Sequence, residues 1–339
     1  MGQINKLFIT FFIILVPLKA QEKIQTFRGT SLIHMPSTED LEKGMIDFRF
    51  NHRFGNAKST LDSFFGMDGG ANNQLSLDYG ITDKWSVGIA RTSQYKTYEV
   101  RTKVKIFSQN EGFPITVSLF GVVGQETSKK DIYYPYYIQP PPTGISIVDS
   151  KLKIELNEYE TSLEDRRSYL SSLLISRHFG EIFSLQLSGI YVHRNFVKSS
   201  LGNTRLGLSV GSKLKLTKNM DFVLEAIFTP KRDYVGENYR DLDQDSELGL
   251  KNMSAEEINS NFTENLPQAY LRNVVLDKKV PYLYTPFSFG IDYETSGHVF
   301  QIFITNNRTL AHTQLLRGAD FDYQKKDWTL GFNIHRIFD

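Results

Sequence analysis

The 339-residue sequence contains no cysteine. That excludes a disulfide framework, thiolate metal ligands, a cysteine nucleophile and covalent haem attachment, and it removes anchoring as a lipoprotein through a cysteine. No run of eighteen apolar residues occurs anywhere, so no segment can cross a bilayer as a helix, which takes about 20 residues. An excess of one charge is missing as well: 39 Lys and Arg against 38 Asp and Glu leave a formal +1. A chain so balanced lacks the basic footprint that nucleic acid requires. The 7 histidines contain no H-x-x-x-H pair, and no G-x-S-x-G accompanies them, so neither a zinc hydrolase nor a serine hydrolase is signalled. The chain is read as no enzyme: no catalytic residue is assigned and no cofactor is implied.

The first apolar run is short and carries an address. Lys6 precedes the ten residues Leu7 to Val16, and Leu18-Lys19-Ala20 stands before Gln21 like a cleavage site. Residues 1–20 are therefore expected to be a signal peptide, removed on export. Its removal takes away Lys6 and Lys19 and no acid, which moves the charge from +1 to −1.

What the chain has in abundance is aromatics, 13% of residues with 25 Phe and 17 Tyr, on a background of negative mean hydropathy. That combination is too polar for a helical bundle in lipid and rich in aromatics for a soluble enzyme. It suits a membrane β-barrel, in which only alternate residues face lipid and aromatic girdles mark both interfaces. The alternation is visible directly. In 45–55, Ile46, Phe48, Phe50, His52 and Phe54 alternate with Asp47, Arg49, Asn51 and Arg53. Three charges on one strand face would be costly in a soluble core, whereas a water-filled lumen accepts them. The last stretch repeats the pattern: Trp328, Leu330, Phe332, Ile334 and Phe338 share a face with Arg336, against Thr329, Gly331, Asn333, His335 and Ile337. Counted this way, twelve strands follow, near 45–55, 74–81, 85–92, 98–106, 115–124, 168–179, 183–194, 205–216, 220–228, 287–293, 299–306 and 328–338.

Loop lengths test that count independently. Connections after the second, fourth, sixth, eighth and tenth strands are short, whereas those after the first, fifth, ninth and eleventh are long. An even barrel with short periplasmic turns and long extracellular loops has this asymmetry. The expected architecture is thus an all-β, transmembrane antiparallel up-and-down β-barrel of about 12 strands over 44–339, with a periplasmic lead-in at 21–43. Its large extracellular loops fall at about 126–167 and 230–285. The tract Tyr133-Tyr134-Pro135-Tyr136-Tyr137 with Pro140 to Pro142 is read as loop, since proline donates nothing to a ladder.

Several blocks resemble a known family: Gly44 to Gly55, the run FFGMDGGANNQLSLDYGITDKWSVGIARTSQYKTYE, YVHRN at 191–195, ETSGHVFQIFITNNR, and WTLGFNIHRIF. They are similar to a Bacteroidota outer-membrane β-barrel family known only as a domain of unknown function. The resemblance covers most strands but not the two long loops. It implies a barrel in the bacterial outer membrane, contacting its lipid. It brings no substrate and no catalytic residue.

The most mechanistic pattern is the set of inward charges: Asp47, Arg49, Arg53, Asp78, Glu99, Arg101, Lys103, Lys105, Arg194, Arg205, Lys213, Lys215, Asp221, Glu225, Asp292 and Glu294. Such groups either set ion selectivity in an open pore or pair with each other and with a plug that fills it. In the second long loop Asp241, Asp243, Asp245 and Glu247 form D-x-D-x-D-x-E, an oxygen-rich spacing that suits a hard cation. Ser246 where the calcium loop has Gly, and Asn252 where it has Glu, favour a solvated acidic loop instead. Two functions stay open. One is porin-like passage of small solutes. The other is a structural or accessory barrel with a plugged lumen that docks an outer-membrane partner through its loops. The final strand, with Phe338 beside the terminus, is expected to be the signal read by barrel-insertion machinery.

Overall fold

Strands form where the period-two pattern predicts them. The computed structural model describes residues 24–59, 61–128, 131–137, 154–160, 162–195, 203–229 and 284–339. In chain order they are β1 (Ile46–Arg53), β2 (Asn72–Thr82), β3 (Trp85–Thr92), β4 (Thr97–Phe107), β5 (Thr116–Glu126), β6 (Asp131–Tyr137), β7 (Ile154–Glu160), β8 (Arg167–Phe179), β9 (Phe183–Arg194), β10 (Thr204–Lys215), β11 (Met220–Phe228), β12 (Phe287–Thr295), β13 (His298–Thr305) and β14 (Thr329–Phe338). Twelve of them close into one antiparallel ring in the order β1-β14-β13-β12-β11-β10-β9-β8-β5-β4-β3-β2. Closure is made by β14, which pairs with β13 on one side and with β1 on the other, Ile46 opposite Phe338 and Arg53 opposite Gly331. A ring has no edge, so every strand amide finds a partner without water, the condition for standing in lipid.

The remaining pair, β6 and β7, is an antiparallel hairpin outside the ring. This corrects the expectation of loop at 133–137. Pro135 stands opposite Leu156 in a ribbon of only two strands, whose outer sides need no donor, so proline is tolerated there as on any sheet edge.

Turn chemistry sets the two rims. Thr295 pairs with His298 across Ser296-Gly297, with Gly297 at φ +76°, and Phe179 pairs with Phe183 beside Gly180 at φ +64°. Glycine adopts such left-handed conformations without steric penalty. These turns, the start of β1 and the end of β14 share one end of the barrel, the short-turn rim. The opposite end is the long-loop rim.

The outer face is apolar and exposed. Ile302 is 67% exposed, Val100 61% and Ile89 60%, while the alternate residues on the same strands are buried and mostly polar. That arrangement is inverted relative to a soluble domain and suits lipid outside. Aromatic residues collect at both rims: Trp328 lies near Phe287, Phe289 and Tyr323 at the long-loop end, and Phe107–Phe113 and Phe179–Phe183 lie at the short-turn end. No helix among the described residues is long and apolar enough to cross a membrane.

Candidate functional site in the filled lumen

Residues 24–41 do not form a lead-in outside the barrel, as expected from their irregular sequence; they lie inside it. Phe27, Leu32, Ile33, Met35 and Leu41 are buried, and Ser37 and Thr38 with them. The segment rises from the short-turn rim, where Ile24 exchanges hydrogen bonds with Asn110, and turns over residues 32–35. There Leu32 N–H donates to Met35 C=O at 2.8 Å and Ser31 bridges Pro36. It then returns to the same rim, where Gly44 N–H donates to Gly80 C=O at 2.8 Å before β1 begins. The backbone of so irregular a segment must find its partners outside itself, because buried amides and carbonyls left unpaired are costly. The barrel wall provides them. Glu225 accepts the N–H groups of His34 at 2.6 Å and Met35 at 3.0 Å. Arg53 donates to Ile33 C=O at 3.0 Å, and Gln186 pairs with Thr38 N–H at 3.0 Å and Pro36 C=O at 2.8 Å. Thr38 and Ser176 share a hydroxyl hydrogen bond of 2.5 Å.

A second insert enters from the long-loop rim. Between β13 and β14, a 3-10 turn at His312–Arg317 dips inward with Leu310, Ala311, Leu315 and Leu316 buried. Glu99 of β4 accepts from Thr313 N–H at 3.2 Å and pairs with His312 Nδ1 at 2.9 Å. Arg205 donates to Leu316 C=O at 2.6 Å, and Glu126 accepts from Gln314 and from Arg317. Met35 from the first insert and Leu315 and Leu316 from the second join Val122, Leu170, Leu174 and Ile190 of the wall in one apolar cluster. Where the inserts meet, a cavity of about 10 Å³ is lined by His34, Leu310 and His312, and a second of about 20 Å³ lies beside Arg49, Asp78 and Arg101. Each has room for about one water and none for a solute.

The predicted inward charges all lie on the inward phase of their strands, and the two inserts account for most of their contacts. Asp47, Arg49, Asp78 and Arg101 form a chain of ion pairs, with Arg49–Asp47 at 3.4 Å, Arg101–Asp78 at 2.8 Å, and a direct Arg49–Asp78 bridge. Thr30 of the segment donates to Asp47 at 2.6 Å. Lys103 and Lys105 each lie 3.4 Å from Asp40, and Lys103 also donates to the carbonyls of Ser37 and Glu39. Arg28 bonds Asp221 at 2.7 Å and Glu294 at 2.5 Å, and Lys213 donates to Gln25 C=O at 2.9 Å. Arg194 reaches Thr313 C=O at 3.3 Å. Asp292 is buried with its Oδ1 lacking a hydrogen-bond partner among the described residues. Lys215 differs: it sits at the rim and pairs with Glu181 of a turn, at 2.8 Å, touching neither insert. Asp241, Asp243, Asp245 and Glu247 lie outside the described residues.

Sequence reasoning missed the inserts, although their imprint was present. Inward positions of the wall strands include Val122, Leu170, Leu174, Ile190, Val192, Val223 and Ile227, all buried. Small inward residues make room as well: a Cβ on Gly211 would lie 2.4 Å from Leu32 Cδ1. On the outer face His52 stacks on Phe332 with ring centroids 5.0 Å apart, and Arg336 donates to His298 at 2.9 Å, so both histidines sit among aromatic and cationic neighbours at the lipid surface.

A closed ring of twelve strands with an apolar exterior, aromatic rims and a polar interior defines a transmembrane barrel of the outer membrane. The chain belongs to the membrane bound beta barrel domain family DUF5777, whose model matches residues 27–338. That match begins at Phe27, so the family's domain includes most of the segment inside the lumen. Solved structures with similarity include the NanC porin, at 7% identity and a TM-score of 0.44 over 87% of this chain and 100% of that one. The KdgM porin in complex with disordered oligogalacturonate follows at 7% and 0.42, covering 87% and 99%. An outer membrane channel from Pseudomonas putida F1 gives 10% and 0.39, covering 89% and 98%. No curated protein matches the chain.

Proposed function

We propose that this barrel is a non-enzymatic, gated channel for small polar solutes, seen here closed by its own residues 24–41 from the short-turn rim and by the His312–Arg317 insert from the long-loop rim. The observation that carries the reading is the way the segment is held. Its backbone is satisfied by wall side chains such as Glu225, Arg53, Gln186 and Lys103, not by strand pairing into the wall. Its withdrawal therefore breaks no strand of the ring. Water entering behind it re-solvates the carboxylates, guanidiniums and hydroxyls that it leaves, so undocking exchanges polar contacts for hydration at modest net cost. The segment's apolar contacts gather near its tip, where Ile33 and Met35 pack on the wall, whereas the wall around Arg49, Asp78, Lys103 and Asp221 is charged and open to re-solvation.

The absence of native cysteine gives a clean test. Thr38 and Ser176, whose hydroxyls touch at 2.5 Å, are replaced by a cysteine pair that tethers the segment to β8. In planar bilayers the oxidised T38C/S176C protein should stay silent, and reduction should restore the intermittent conductance of the parent. Equal conductance before and after reduction would remove the segment from the passage. Silence of the parent, of the reduced variant and of a protein with a weakened segment, all with folded barrels, would leave a sealed scaffold and end the channel reading.

A further inference from the structure

The segment's own charges report what the short-turn half of the lumen binds. Arg28 is held by Asp221 and Glu294, on β11 and β12. Asp292, one pleat from Glu294 on the same inward face, adds a third carboxylate, buried and with Oδ1 lacking a hydrogen-bond partner among the described residues. Asp40 faces the ammonium groups of Lys103 and Lys105, both on β4. In the ring the path from β12 to β4 runs β12-β11-β10-β9-β8-β5-β4, half of the twelve strands, so the acidic and basic arcs confront each other across the lumen. All five residues lie near the short-turn ends of their strands, so the two arcs stand at similar depth.

The basic arc is not neutralised by the wall as its neighbours are. Arg49 and Arg101 already share Asp47 and Asp78, whereas the ion-pair partner of Lys103 and Lys105 is Asp40 of the segment. Asp40 is itself a loose occupant. Its side chain is buried, yet both carboxylate oxygens lack hydrogen-bond partners among the described residues, and each ammonium stands 3.4 Å away. When the segment leaves, Lys103 and Lys105 remain on one side, and on the other Asp221, Asp292 and Glu294 outnumber the neighbouring Lys213, so a surplus of positive charge faces a surplus of negative charge. A field of that form orients a solute carrying both signs and offers little to a solute carrying none.

We infer that this half of the lumen is a recognition site for small zwitterions with separated charges, short peptides with free ends. Their carboxylate takes the place of Asp40 at Lys103 and Lys105. Their ammonium takes the place of Arg28 at Asp221, Asp292 and Glu294. The segment is then a tethered self-ligand that such a solute displaces. The inference rests on the gated-channel reading, because a solute reaches the site only after the segment moves.

The test keeps the full chain and vacates both places with R28Q/D40N. Triglycine and its doubly blocked analogue, N-acetyl-triglycine amide, share one backbone and differ in the two end charges. Calorimetry on folded R28Q/D40N protein in detergent should show triglycine binding roughly fivefold tighter than the blocked peptide, the ratio that two partly exposed ion pairs supply together. Adding K103Q/K105Q or D221N/E294Q should abolish the difference. A heat-modifiable band on gels verifies that each variant is folded. On the intact parent, triglycine should speed proteolysis of 24–41 and the blocked peptide should not, which tests the same claim should the variants misfold. Equal binding of the two peptides, or a preference that survives neutralisation of either arc, would overturn the inference. Conductance of the same R28Q/D40N protein separates the two claims: preferential binding without conductance sinks the channel and keeps the site, and conductance without preference does the reverse.

Discussion

Replacing Glu225 by Ala should open the barrel. The carboxylate, on β11, accepts the amides of His34 at 2.6 Å and Met35 at 3.0 Å, at the buried tip of the inner segment. A buried donor left without its acceptor costs about 1–3 kcal/mol, so the two together destabilise the docked segment by about 2–6 kcal/mol. The undocked segment is hydrated and does not bear that cost. The docked-to-undocked ratio should therefore fall at least about thirtyfold, since every 1.4 kcal/mol is tenfold. Glu225→Gln keeps one acceptor oxygen and the side-chain volume, and should lose roughly half of that effect in free energy, because a neutral acceptor bonds more weakly than a carboxylate. The readouts are conductance in planar bilayers and proteolysis of residues 24–41 in folded protein. Glu181→Ala is the control, because Glu181 bonds Lys215 at the exposed rim and touches neither insert. Unchanged conductance and unchanged protease protection in a correctly folded E225A protein would refute the argument that wall carboxylates hold the segment through its backbone.

Three further outcomes are expected. His34 is buried, with Nε2 at 3.0 Å from Ser288 Oγ, and burial followed by the charge of Arg53 holds its pKa well below the usual imidazole range. At His34 the docked segment binds fewer protons than the displaced one, so this residue's contribution to docking is at full strength above pH about 6.5 and is lost as pH falls below it. Acidification from pH 7.5 to 5 should therefore favour opening more in the parent than in His34→Gln, read as conductance. Glu99→Ala removes the acceptor for Thr313 N–H and the partner of His312, which should loosen the 306–328 insert by about 1–3 kcal/mol. Faster cleavage near 312–317, with 24–41 still protected, would verify that the two inserts are held separately. Truncation after Asn333 removes half of β14 and leaves Phe48 of β1 and Val299 of β13 without their partners Arg336 and His335. Open edges in lipid leave several amides unpaired, so no heat-modifiable barrel should form.

The wall was legible residue by residue and the contents were not. A strand's two faces follow from period two, so Phe48 against Asp47 and Phe332 against Asn333 can be assigned to lipid and lumen without knowing the fold. Loop lengths then fixed the order of the hairpins, because a short connection admits only a neighbour. Residues 24–41 offer no period. Their conformation is imposed by Glu225, Arg53, Gln186 and Lys103, which lie up to 191 positions away in the chain. The one local clue was an excess of Leu, Ile and Val at 122, 170, 174, 190, 192, 223 and 227 on faces otherwise polar, which a watery lumen does not favour. Tyr133 to Tyr137 misled in the opposite sense, since Pro135 forbids a central strand but not a two-stranded ribbon.

By itself, the sequence determined an exported-looking chain of twelve amphipathic strands, closed by Trp328 to Phe338, with charges turned inward. These are properties of alternation and spacing, which act over a few residues and leave their mark locally. The tertiary structure alone decided that the inward charges meet the chain's own 24–41 and 306–317, not open water. It alone set Lys103 and Lys105 opposite Asp221, Asp292 and Glu294. Ring closure brings β4 and β12 face to face across a lumen, and no pattern within either strand encodes what stands on the other side.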